Sequence, residues 1–362
     1  MEDAHLALPD FDKDRGLALF GVFDGHGGAA VARLVAERLP GALRSLPSFQ
    51  AGRYEEALTE AFRAMDVYLD STTGRKDVRR LSRGGSPELM GATAVVALLR
   101  RGPPTELIVA NAGDSRCVLV SGSKAVNMSR DHGPSLPEES ARVRKAGGWV
   151  NREGRINGNL NLSRALGDLM YKKDKRLSPA EQVISGVPEV KRRVLSGADR
   201  LLILGCDGIW ERMSSQTVAD FLSKQLPGGA DGPAQRLSAA CAAFLDAALS
   251  PNPVKTQGLG CDNMSVVLVS IPAGTPDGGE GHKAPGRTPG AGAAAAPAAE
   301  ATRAAPPGPL LRDAVPEAAS RPCGTKRLSQ AGRSGEGAIS PRRKLLRIMA
   351  MLHRGTPRRQ KK

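Results

Sequence analysis

Residues 18–28 read ALFGVFDGHGG, an apolar run that stops at an aspartate followed by glycine, histidine and two more glycines. The same interruption recurs along the chain. Asp207 closes the run LLILGCDG, Asp262 stands directly before an apolar segment in CDNMSVVLVS, and Asp114 lies in ANAGDSR between two further apolar stretches. A carboxylate at the end of a buried strand is costly to desolvate unless a partner neutralises it. Taken singly, an Asp-Gly pair marks a turn. Repeated at several strand ends, the pattern has one shared solution, a divalent cation. All-oxygen ligation suits Mg²⁺ or Mn²⁺, and the lack of a His/Cys cluster disfavours zinc. Gly25 and Gly208 permit tight turns beside these carboxylates, and a glycine carbonyl is itself a candidate ligand.

The periodicity around these aspartates predicts strands at Leu17 to Phe23, Ala92 to Leu99, Glu106 to Asn111, Ser115 to Ser121, Leu201 to Cys206 and Asn263 to Ile271. Helical spacing marks Ala29 to Leu39, Tyr54 to Leu69, Pro137 to Ala146, Ser215 to Leu226 and Ala234 to Leu249. Residues 71–90 are polar and basic and read as a loop. Adjacent strands joined by short turns argue against a purely parallel sheet. They point to an α+β fold with antiparallel sheets covered by helices.

Charge divides the chain in two. The whole carries +15 over 362 residues. From Ala273 onward there are 17 Lys+Arg against 6 Asp+Glu, a net of +11, which leaves only +4 for the preceding residues. The expectation is a near-neutral globular domain over residues 1–272 and an Ala/Gly/Pro-rich, disordered, basic tail over 273–362. In the tail, Leu345, Leu346, Ile348, Met349 and Leu352 stand among cations. They read either as solvated tail or as a short helix for an acidic partner or a membrane surface. The tail lacks aromatic residues and a nucleic-acid motif, so no nucleic-acid partner is expected. Five scattered cysteines without a Cys-x-x-Cys pair fit a reducing compartment, cytoplasmic or nuclear. No apolar stretch reaches the length of a membrane span, and a monomer is expected.

Two metal ions a few Å apart are suited to in-line displacement at phosphorus. His26 follows the first aspartate closely enough to face the same site, as a general acid or as a capping or packing residue. Cys206 and Arg212 have the Cys-x5-Arg spacing of a thiolate phosphatase. Two intervening carboxylates and the bulky Ile209 and Trp210 spoil that loop as a phosphate cradle.

The segments MEDAH, VFDGHGG, GATAVVALL, NAGDSR, DHGPS, RINGNLNLSRALGD, CDGIWE and DNMSVVLVS together resemble, in this order, the metal-dependent (type 2C) protein serine/threonine phosphatases. The resemblance spans residues 1–271 and is strongest to the animal alpha, beta and N-type members. It implies a four-layer α/β/β/α sandwich with the site at one end of two central antiparallel sheets. It further implies two Mn²⁺ or Mg²⁺ ions and a weaker third, held by Asp24, the Gly25 carbonyl, Asp207, Asp262, Glu2 and Asp114. It implies direct attack by a metal-bridging water, with His26 as general acid, on phosphoserine and phosphothreonine in phosphoprotein substrates. Residues 151–190 correspond to a flap beside the cleft.

The resemblance also places a further strand and a phosphate-gripping arginine upstream of Met-Glu-Asp. With Met1 at that point, the expectation is an exposed sheet edge, a frayed Glu2 and a weakened phosphate clamp. It keeps a second reading open, a catalytically weak metal-binding pseudophosphatase or interaction module. Glu211 replaces the aspartate usual after Cys-Asp-Gly-Ile-Trp, and Gly133 replaces a lysine.

Overall fold

The computed structural model describes residues 1–226, 234–252, 254–271 and 345–351. The Ala/Gly/Pro-rich stretch expected to be disordered, residues 273–340, lies outside these residues. The apolar runs build two five-stranded sheets. The first has the order β1 (Ala4–Asp12), β2 (Leu17–Phe23), β5 (Ala94–Arg100), β6 (Glu106–Ala112) and β10 (Glu189–Val194), antiparallel throughout. The second runs β13 (Leu345–Met351), β12 (Met264–Ser270), β11 (Asp199–Gly205), β7 (Arg116–Ser121) and β8 (Lys124–Asn127), antiparallel except for β13 on β12.

Alternation along each strand fixes which layer a side chain enters. In β2, Ala18, Phe20 and Val22 face the second sheet, where they meet Leu119, Leu202, Leu204 and Val267. Leu19 and Phe23 point the other way, into α1 (Ala30–Ser45), α2 (Pro47–Gln50) and α3 (Tyr54–Asp70), through Leu34, Leu39, Phe49, Leu58 and Phe62. On the far side, Leu201 and Ile203 of β11 meet α7 (Ser215–Gln225) and α8 (Ala234–Ala248) through Leu222, Leu237 and Phe244. Helices thus cover both outer faces of the paired sheets, the α/β/β/α sandwich expected. A satellite cluster of Val143, Ile156, Leu162, Tyr171 and Ile184 anchors α5 (Pro137–Lys145) to the segment beside the cleft.

The structure departs from the sequence reading in several elements. Residues 71–90 are not simply a loop, because Thr72–Leu81 forms α4. Ser71 caps it by accepting from the Gly74 amide at 3.0 Å, and Val78 supplies its buried contact. One anchor and one cap suffice where the remaining face is solvated. Strands β1, β8 and β10 were hidden by their mixed polarity, since each has an exposed or half-exposed side. The tail segment Leu345–Met351 is neither disordered nor helical. It pairs in parallel with all of β12, Met264 opposite Leu345 through Ser270 opposite Met351. Every residue of β12 is buried, so its peptide groups need a partner on that side. Residues 352–362 lie outside the described residues.

Candidate active site

The strand ends converge on one cleft of about 640 Å³. Its walls include Glu2, Asp24, Gly25, His26, Asp114, Asp207 and Asp262, so all seven residues singled out from the sequence meet there. β2 delivers Asp24, the turn between β6 and β7 delivers Asp114, and β11 runs into Asp207 at the start of α6 (Asp207–Trp210). Asp262 precedes β12. Glu2 precedes β1, and its Oε2 accepts from the Gly28 amide at 3.2 Å. Glu211 also lines the cleft.

The glycines beside the aspartates serve close approach. A Cβ on Gly25 would stand 2.5 Å from the Glu2 carbonyl oxygen, and one on Gly208 would run into the Asn263 carbonyl. Neither has a positive φ. The expectation of tight turns gives way to a packing reason, backbone pressed against backbone at the cleft floor.

The electrostatics are one-sided. Burial pushes the Asp24 carboxyl up, and Asp207 and Asp3 push it further, to about 11. Burial and Asp207 raise Asp114 to about 7. Asp207 and Glu211 are raised as well, chiefly by burial and then by the neighbouring carboxylates. Asp3, beneath the cleft, is raised by burial although Ser265 Oγ donates to it at 2.6 Å. Among the described residues, the basic side chains lining the cleft are His26 and Arg155.

His26 is oriented by a small sheet of its own. β3 (Gly25–His26), β4 (Gly91–Ala92) and β9 (Leu166–Gly167) set His26 opposite Gly91 and Gly91 opposite Gly167. Asp168 follows, 1% exposed, and its Oδ2 lies 2.8 Å from His26 Nε2. A Cβ on Gly91 would fall 2.5 Å from both of those atoms, so only glycine leaves room for the pair above it. Burial works against a charge on His26, but Asp168 first, then Asp114 and Glu2, outweigh it and hold the imidazole pKa above its ordinary value.

Sequence reasoning passed over Asp168, although Ala-Leu-Gly-Asp repeats the pattern of an apolar step ending on aspartate. It also passed over Thr93, whose Oγ1 accepts from the Asp24 amide at 3.3 Å and meets Ser115 Oγ at 2.7 Å. Cys206 is fully buried, accepts from the Ser265 amide at 3.1 Å, and has its thiol pKa pushed well up by burial. Arg212 donates to the Ala248 carbonyl at 2.9 Å. The thiolate arrangement is therefore absent.

The donor set fits a hard divalent cation. Six carboxylates line the cleft, and the buried Asp114 Oδ1, Asp3 Oδ1 and Asn263 Oδ1 have no hydrogen-bond partner. Among the described residues no three His, Cys, Asp or Glu side chains are already gathered into a cage. The fit rests on donor chemistry and uncompensated charge.

The family profile described as Protein phosphatase 2C matches residues 1–255. "Probable protein phosphatase 2C 2" of Paramecium tetraurelia is 43% identical over 272 residues, 75% of this chain and 88% of that protein. "Probable protein phosphatase 2C 58" of Oryza sativa subsp. japonica is 37% identical over 307 residues, 75% and 80% of the two chains. A solved structure of a phosphatase from Toxoplasma gondii superposes with a TM-score of 0.58 at 24% identity, over 74% of this chain and 87% of that one, a likeness of fold. With the profile covering most of the chain and relatives well above 30% identity, the chain belongs to the protein phosphatase 2C family and is a serine/threonine protein phosphatase.

Proposed function

We propose that the chain hydrolyses phosphoserine and phosphothreonine in phosphoproteins, with Mn²⁺ or Mg²⁺ held in the acidic cleft. The observation that supports this most is the burial of Asp24, Asp207 and Asp114 together, each pushed up by burial and by a neighbouring carboxylate, with His26 opposing the rise at Asp114 only as a minor contribution. A phosphate dianion would be repelled from such a cleft unless cations came first. Asp24, Asp207 and Asp262, with the Gly25 carbonyl, would hold two ions, and Glu2 and Asp114 would complete the set. When bound there, the ions would supply positive charge for the phosphoryl group and would lower the pKa of water.

The chain's own residues do the rest. Asp24 is fixed by Thr93 through its amide, and Ser115 fixes Thr93 in turn. With Nε2 engaged by Asp168, His26 keeps Nδ1 as the nitrogen available to a departing serine or threonine oxygen. The Asp168 carboxylate favours the protonated form of the ring, the direction a general acid needs. Arg155, whose Nη1 donates to the Asn159 carbonyl at 2.7 Å, is the one guanidinium among the described residues that lines the cleft and is placed to meet phosphate oxygens. The likeness to the animal alpha, beta and N-type members belongs to this reading.

Hydrolysis of a phosphothreonine peptide, with Mn²⁺ and with chelator, tests it. Turnover that requires the ion and disappears in Asp24→Asn and Asp207→Asn is the expected result. Mn²⁺ binding by calorimetry without turnover in the native chain would overturn it in favour of a metal-binding interaction module.

A further inference from the structure

A second groove of about 590 Å³ shares a wall with the cleft. The loop from Asn151 to Leu162 divides them. Asn151, Arg152 and Gly154 face the groove, Arg155, Asn159 and Leu162 face the cleft, and Asn161 lines both. The loop is braced from within: Asn151 Oδ1 accepts from the Arg155 amide at 2.6 Å, the Asn151 amide donates to the Arg155 carbonyl at 2.9 Å, and Ile156 is buried.

The two hollows have opposite charge. Among the described residues, six carboxylates line the cleft, whereas the groove is lined by Arg144 and Arg152 and by no carboxylate. Neighbouring cations are spoken for. Arg142 pairs with Glu139 at 2.5 Å, Lys145 with Glu181 at 3.1 Å, and Arg130 with Glu138 at 2.5 Å. Arg144 and Arg152 enter no ion pair among the described residues. Glu153, beside Arg152 in sequence, does not line the groove. Two free guanidinium groups with serine and asparagine side chains around them form a receptor for an anion, and guanidinium prefers the forked oxygens of carboxylate or phosphate.

We propose that this groove is a substrate subsite for an acidic group, a carboxylate or a second phosphate, carried on the same peptide within a few residues of the phosphoryl group being removed. The proposal rests on the phosphatase reading above, because the cleft must hold the reacting residue for its neighbours to cross the loop at Asn161. It selects among phosphoproteins by flanking charge and leaves the chemistry to the cleft.

The test compares kcat/KM on three phosphothreonine peptides flanked by alanine, by glutamate, or by a second phosphate mimicked with non-hydrolysable phosphonate. Glutamate- or phosphonate-flanked peptide should be favoured over alanine by about three- to tenfold at low salt, through KM. The preference should shrink as salt rises. Arg144→Ala with Arg152→Ala should erase it while leaving hydrolysis of p-nitrophenyl phosphate, which has no flank, unchanged. Equal rates on all three peptides, or a preference that survives the double variant, would overturn the subsite. A glutamate preference without a phosphonate one assigns it to carboxylates, and the reverse assigns it to phosphate. Should the chain turn over no substrate at all, the phosphatase reading fails separately. Fluorescence anisotropy of a fully phosphonate-substituted acidic peptide on native and double-variant protein then decides the groove on binding alone, equal affinities overturning it.

Discussion

Glu139 and Asp24 are both carboxylates withdrawn from water in one domain, and the fold treats them in opposite ways. Glu139 is 1% exposed and receives Arg142 Nη1 at 2.5 Å, Arg164 Nη2 at 2.6 Å and Ser163 Oγ at 2.6 Å. Burial pushes its pKa up, but Arg164, Ser163 and Arg142 more than reverse this and hold it at about 2. Asp24 has carboxylates where Glu139 has guanidinium groups, and it is driven to about 11. One cluster is closed, its charge settled by side chains. The other is open, its charge awaiting something from outside. Closed clusters hold structure, and open ones are where ligand chemistry belongs.

The sharpest way to break this comparison is to neutralise each acid. Asp24→Asn or Asp207→Asn should cut turnover on the order of a thousandfold or more, by removing charge the bound ions need. The same changes should leave thermal stability in chelator equal or higher, because repulsion inside the cleft is relieved. Calorimetry in EDTA checks this, and a clear drop in Tm would show that Asp24 is a structural acid like Glu139. Glu139→Gln should do the reverse. It strands Arg142 and Arg164 with reduced compensation, at a cost of about 3 kcal/mol, which is a Tm lower by roughly 10 °C.

The glycines sharpen the contrast at smaller scale. In Gly91→Ala the new methyl meets the tips of His26 and Asp168, which are movable side-chain ends. The fold should tolerate that while kcat drops about 10- to 100-fold, since the general acid loses its brace. In Gly208→Ala the methyl meets the Asn263 backbone, which cannot swing away. Stability should fall along with activity there. Paired melting curves and initial rates separate the two, and a Gly91→Ala protein with native kcat would remove Asp168 from the account of the site.

Much of this was legible because buried strands announce themselves. Leu17–Phe23 was read at its observed bounds, since seven consecutive buried residues leave no polar ambiguity. The aspartates were legible for the same reason, each interrupting a run that has to be inside. β10, Glu-Val-Lys-Arg-Arg-Val, was not legible, because its charges lie on an exposed side and its ladder with β6 is a long-range fact. Asp168 was hidden differently. Its role depends on β4 bringing Gly91 between it and His26, 142 residues away. Spacing along the chain carries no trace of such a three-part arrangement. The parallel pairing of Leu345–Met351 with β12 escaped because neighbouring cations pointed to solvent, while the unpaired edge that accepts the segment lies elsewhere in the sequence.

The effect spread over the widest range of conditions is a slope, and its sign follows from which state holds more protons. Asp114 has its pKa raised to about 7 in the ion-free fold. Between the ordinary carboxylate range and about pH 7, the folded protein keeps a proton there that the unfolded chain has released. Stability therefore falls as pH rises through that window and flattens above it as far as Asp114 is concerned. Asp24, raised further, extends the same slope to higher pH. Glu139 contributes in the other sense. Its stabilisation is complete above about pH 4.5 and is lost only as pH falls towards about 2, so it adds no slope near neutrality. In EDTA, Tm should thus fall steadily from pH 5 to pH 8. Mn²⁺ should reverse the drop, and by more at the higher pH, because protons and cations compete for the same oxygens. A chelated protein whose Tm rises over that range, with Mn²⁺ stabilising it equally at both ends, would mean that the cleft carboxylates are already compensated and that the open cluster is closed after all.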